Sequence, residues 1–146
     1  MSIWVTPVPR ADLTAVTRGT AAEHLGVRVT AFGDDWLEGT IPLDERTRSA
    51  SGTLHAGALG ILSETLGSIA ASLCVDQAHR YCLGQILHVD HPEAITRGPL
   101  CGRATPLILA AHSHVWQIDI KDTTGARVCV AHLTMIILER RPASSS

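Results

Sequence analysis

The sequence predicts an α+β domain in which one long apolar helix lies against a mainly antiparallel sheet. Three observations predict it. A single apolar stretch near the middle, residues 56 to 74, is long enough for about five helical turns. Two short β-prone runs precede it, VRVTAF and WLEGTIPL, divided by a GDD turn in the manner of a hairpin. Several more β-prone runs follow it, the last two joined by DTTG.

Taken in order, residues 11 to 25, ADLTAVTRGTAAEHL, read as a helix that Gly26 would cap. The hairpin comes next, then a Gly- and Ser-punctuated approach to the helix at 56 to 74. Residues 83 to 91, LGQILHVDH, are strand-like. After the turn signal RGP come LCGRATPLILA and the well-alternating HSHVWQIDIKD. The DTTG turn leads into RVCVAHLTMIIL, the most β-prone run of the chain. The sum is about six strands and two helices. A long apolar helix needs cover on most sides; the sheet supplies one side, and a second subunit is a natural cover for the rest.

Length and composition favour one domain over residues 1–140, with 141–146 as a disordered tail. Hydrophobic residues make up 45% and charged residues 18%, an ordinary globular balance. A net charge of -2 gives no basic footprint for nucleic acid. The opening residues, MSIWVTPVPRADLT, contain no apolar secretory core. No uninterrupted apolar run reaches bilayer length, so the expectation is a soluble cytoplasmic protein without membrane partners.

Cys74, Cys82, Cys101 and Cys129 form no CxxC pair and read as small core residues. Eight histidines are many, but neither His88 with His91 nor His112 with His114 comes with a third ligand at a readable spacing. They are expected at the surface or at an interface, and no metal is expected.

Glu64 is the residue that needs explaining. It stands in the middle of the apolar helix, where a bare carboxylate costs several kcal/mol unless compensated (~3–5 for an unpaired charge). Gly60, Ile61, Gly67 and Ser68 lie three and four positions away, on its face, while Leu59, Leu62, Leu66, Ile69 and Leu73 form an opposing ridge. Glycines inside a helix cost about 1 kcal/mol each against alanine, so their presence beside Glu64 suggests close approach by another helix or by a ligand. The plain structural reading is that Glu64 pairs with an arginine or rims a subunit contact. The chemical reading takes in the helix start, Gly52-Thr53-Leu54-His55-Ala56-Gly57, whose unpaired N–H groups suit an oxyanion. Ala56 and Glu64 are about 12 Å apart along the axis, too far to serve one carbonyl. Donors from one subunit and the acid from its twin, across a two-fold interface, would bridge that gap.

Leu54-His55-Ala56-Gly57 followed by Leu62-Ser63-Glu64-Thr65-Leu66-Gly67-Ser68 resembles the hotdog-fold acyl-CoA thioesterases, in the branch that acts on aromatic acyl thioesters such as 4-hydroxybenzoyl-CoA and 1,4-dihydroxy-2-naphthoyl-CoA. Ile3-Trp4, Gly33-Asp34-Asp35, Pro42-Leu43-Asp44, Leu73-Cys74 and His114-Val115-Trp116-Gln117-Ile118 extend the likeness over most of the chain. The resemblance implies a long helix wrapped by an antiparallel sheet, a homodimer or homotetramer with inter-subunit active sites, and hydrolysis without a cofactor. It makes Glu64 the catalytic carboxylate, as nucleophile or as base. It assigns carbonyl polarisation to the Ala56 N–H, thioester positioning to His55, and orientation of the water or of the carboxylate to Ser68. Gly57, Ser49, Gly67, His91 and Arg97 complete the expected substrate-binding set.

The chain departs from that family in three places. The glutamine usual before the LHxG segment falls at Ser49, a glycine position is Ala56, and Glu93 stands where an arginine is common. Arg97 and Arg103 remain as partners for coenzyme A phosphates. An acyl carrier protein thioester, which lacks the adenosine phosphates, therefore stands beside acyl-CoA as substrate. Two other functions fit the fold: an acyl hydratase or dehydratase, against which Glu64 eight residues past Ala56 argues, and a non-catalytic acyl-thioester binder, which would have no need of Glu64.

Overall fold

The computed structural model describes residues 1–143. Its elements run as a 3-10 turn (Leu13–Thr17), α1 (Ala21–His24), β1 (Arg28–Phe32), β2 (Leu37–Ile41), α2 (Ala56–Leu73), β3 (Arg80–Asp90), β4 (Leu100–Leu109), β5 (Ser113–Lys121) and β6 (Arg127–Glu139). The strands form one antiparallel sheet in the order β1-β2-β4-β5-β6-β3, curled around α2. This is the helix wrapped by a six-stranded sheet that the sequence predicts.

Alternation does the sorting. In β5 and β6 every second residue is buried, so Trp116, Ile118, Ile120, Leu133 and Met135 face the helix. From α2, Leu59, Leu62 and Leu66 meet them with 1% exposure or less. Each fully buried leucine contributes about 2 kcal/mol, and this contact holds the helix in place. Ile69, expected on that ridge, turns instead toward the cleft beside Glu64. By length and composition α2 would qualify as a bilayer span, but it serves here as the core helix, with half of it buried inside the fold.

The N-terminal helix expected over 11 to 25 is two pieces. Gly19 adopts φ +75°, a left-handed conformation that breaks the helix. Asp12 caps the 3-10 turn before the break, and Thr20 caps α1 after it, its hydroxyl accepting from the Glu23 N–H at 3.3 Å. Gly26, at φ +85°, ends α1 as expected. Strand β3 begins three residues earlier than expected because Arg80 pairs with Glu139 of β6, Nε to Oε1 at 3.1 Å.

The four cysteines are free thiols. Burial pushes Cys74 up to about 12 and Cys129 up to about 11, which keeps both protonated and unreactive. His114 corrects the surface expectation for histidines. It is buried edge-on against Trp116, with ring centroids 6.2 Å apart, and burial lowers its pKa. Among the described residues no group of three metal-ligating side chains comes together. The tail expected to be disordered lies in part, from Ser144 on, outside the described residues.

Candidate active site

Helix α2 begins at a histidine cap. His55 Nδ1 accepts the Gly57 N–H at 2.8 Å, which assigns the proton of the neutral ring to Nε2. The His55 carbonyl accepts from the Ala58 N–H at 2.9 Å. That leaves the N–H of Ala56, at the exposed first position of the helix, with no acceptor among the described residues. A free amide at the positive end of an 18-residue helix is suited to a developing oxyanion.

Glu64 lies two turns further along. It is half-buried and lines a cleft of about 550 Å³ with Gly57, Gly60, Ile61, Ser68 and Ile69 from its own helix. Leu87 of β3 closes one side. Val16, Thr17, Thr20, Ala21 and Ala22, from the 3-10 turn and α1, close another. Glu64 also borders a smaller hollow of about 180 Å³ with Gly84, Gln85, Ile86 and Leu133. No arginine, lysine or histidine forms an ion pair with it among the described residues, which removes the arginine-pair half of the plain structural reading. Burial pushes its carboxyl above the usual carboxylate range, and the Ser68 hydroxyl one turn on draws it partly back. A carboxylate held this way is a stronger base and nucleophile than one in water.

The remaining expected residues divide. Gly57 and Ser68 line the cleft with Glu64. Gly67 does not: it is buried facing the sheet, where a Cβ would meet Leu133 Cδ2 at 2.6 Å. Ser49 sits in a turn, its hydroxyl within 2.9 Å of Ser51 Oγ and 3.0 Å of Thr53 Oγ1, and does not line the cleft. His91 follows the end of β3 and is also outside it. Arg97 lines a separate hollow of about 330 Å³ with Glu93, Asp122 and Arg127. The wall made by Val16 and Ala21 was missed from sequence; the signal was Gly19, a helix breaker inside an otherwise helical pattern.

Residues 51–129 match the family model described as the thioesterase superfamily. The chain belongs to that superfamily. It is 39% identical over 136 residues to the proofreading thioesterase EntH of Cronobacter sakazakii, covering 93% of this chain and 98% of that one. It is 35% identical to the 1,4-dihydroxy-2-naphthoyl-CoA hydrolase of Escherichia coli, covering 93% and 99%. Among solved structures, a thioesterase from Haemophilus influenzae superposes with a TM-score of 0.88 at 35% identity, over 94% of this chain and 95% of the other. The fold is accordingly the hotdog fold, and the activity class of this thioesterase-superfamily chain is thioester hydrolysis.

Proposed function

We propose that this chain hydrolyses an aromatic or polyketide-like acyl thioester, carried on coenzyme A or on an acyl carrier protein, with Glu64 as the reacting carboxylate. The observation that carries the reading is Glu64 itself: an acid with no ion-pair partner among the described residues, half-buried and pushed upward in pKa by that burial, in an aliphatic cleft. The cleft volume, about 550 Å³, falls in the range of small-molecule sites.

The chemistry has two routes. As base, Glu64 takes a proton from water while the water oxygen attacks the acyl carbon. The carbonyl electron pair moves onto oxygen, where the Ala56 N–H donates a hydrogen bond to it, and collapse expels the thiolate, which takes up the proton Glu64 removed from water. As nucleophile, Glu64 itself attacks the acyl carbon and expels the thiolate, and water then adds to the Glu64 carboxyl carbon of the resulting anhydride, releasing the acid and leaving the water oxygen on Glu64. Single-turnover hydrolysis in 18O-labelled water distinguishes them, because only the second route deposits label in the Glu64 carboxylate. In either route the His55 Nε2–H holds the thioester and Ser68 orients the carboxylate or water.

The site is inter-subunit in this reading. The separation of about 12 Å between Ala56 and Glu64 supports it. So does β3, an edge strand with Leu83 48% and Ile86 59% exposed, which suits pairing with a second copy in a homodimer or homotetramer. Arg97 would meet the coenzyme A phosphates, with Glu93 and Asp122 in the same hollow limiting its pull. Cytoplasmic residence belongs to the same proposal.

The test is thiol release measured over aryl-, short-chain and long-chain acyl-CoA thioesters, and over the matching carrier-protein thioesters. Aryl thioesters should give the highest kcat/KM. Hydration of an enoyl thioester without thiol release would contradict the reading.

A further inference from the structure

Strand β3 is irregular at one point. Its register with β6 shifts between Gly84 and Ile86, so that Gln85 is the extra residue of a β-bulge. Bulges break the ladder locally and re-aim a side chain, and they concentrate next to active sites. This one falls beside Glu64. A Cβ on Gly84 would stand 3.4 Å from Glu64 Oε1, and Gln85 borders the 180 Å³ hollow that Glu64 also borders. The Gln85 carboxamide has no hydrogen-bond partner among the described residues, and the side chain is exposed.

Glu64 lacks what Gln85 offers. An ionised carboxylate accepts at about four lone-pair positions. Among the described residues no cation pairs with it, and Ser68 is the one donor that acts on it. Ser68 approaches from the same helix, so among the described residues the side facing β3 has no donor of its own. The glutamine usual in the family ahead of the helix is Ser49 in this chain, and that hydroxyl is engaged with Ser51 and Thr53. Gln85, on the bulge, borders the same hollow as the acid from the β3 side.

We infer that Gln85 is a positioning residue for Glu64: its carboxamide N–H donates to the carboxylate across the β3 bulge and fixes the acid's orientation from the side opposite Ser68. The inference rests on the catalytic role proposed for Glu64. A donor to the ionised form favours that form, so Gln85 offsets part of what burial does to the acid. No other ionisable side chain from α2, β3, β6, the 3-10 turn or α1 lines either hollow, so Glu64 is the group whose titration Gln85 would move.

The experiment is the pH profile of kcat/KM for aryl-CoA thiol release in wild type, Gln85→Ala and Gln85→Glu, with Glu64→Ala as reference. Gln85→Ala should lower kcat about tenfold, the worth of a hydrogen bond to a charged group, with KM nearly unchanged. It should move the acidic limb upward by roughly one pH unit. Gln85→Glu keeps the size, removes the donors and sets a second carboxylate beside the first, so its limb should move further up. An acidic limb that stays put in both variants would overturn the inference, whether or not kcat falls. Should wild type and Glu64→Ala release thiol equally, the reading beneath the inference fails instead.

Discussion

Gly84 of β3 and Glu64 of α2 approach so closely that a Cβ on the glycine would sit 3.4 Å from the Glu64 Oε1. The edge strand therefore forms the back wall of the acid's hollow, and its lack of a side chain keeps that hollow open. Gly84→Val tests this. Valine suits a strand better than glycine, so the fold should hold. Its branched side chain would occupy the space beside Glu64 and displace the carboxylate, and kcat should fall by about 10- to 100-fold. A valine variant with wild-type kcat would mean that the wall does not constrain the acid.

Ser68→Ala removes the hydroxyl that draws the Glu64 pKa down from the helix side. Turnover should fall by roughly tenfold, well short of the loss from removing the acid. A loss as great as that of Glu64→Ala, measured by steady-state thiol release, would assign Ser68 a direct part in bond breaking.

Much of this arrangement was legible in the sequence, for identifiable reasons. The β5–β6 hairpin carries a strong period of 2 and α2 a long, nearly unbroken apolar run, and both form where expected. Glu64 stood out because one acid in an apolar helix has few structural explanations. What was missed depends on contacts distant in the chain. Gly67 shares the face of Glu64 by spacing, yet Leu133, 66 positions away, claims it for packing. The break at Gly19 depends on a backbone angle that residue type permits but does not dictate. The bulge at Gln85 is a property of the β3–β6 register, which neither strand encodes alone. His114 is buried by the same alternation that buries Trp116, against the polarity of its ring.

Gly67→Val separates packing from substrate contact. The added carbons would press on Leu133, which is 1% exposed and has little freedom to yield. Stability should drop by about 1–3 kcal/mol in chemical denaturation, with the kcat of the folded fraction close to wild type. Unchanged stability with lost activity would return Gly67 to the substrate site.

Stability should also show that the fold carries a cost at Glu64. Burial raises its folded pKa above the ordinary 4.5, so the folded state resists losing a proton that the unfolded state gives up freely. The penalty is full above the raised folded pKa, shrinks as pH falls through it, and is absent below 4.5. Gln in place of Glu64 never ionises. Glu64→Gln should therefore melt at a higher temperature than wild type at neutral pH, and the two melting curves should converge as pH falls below 4.5. A constant difference across that range would mean the ionised acid costs the fold nothing.

The most direct measurement is thiol release from an aryl-CoA by the Glu64→Ala variant, alongside circular dichroism and sedimentation to establish that its fold and assembly match wild type. The account predicts a folded protein that releases no thiol above the uncatalysed rate. Hydrolysis retained in that variant would contradict it.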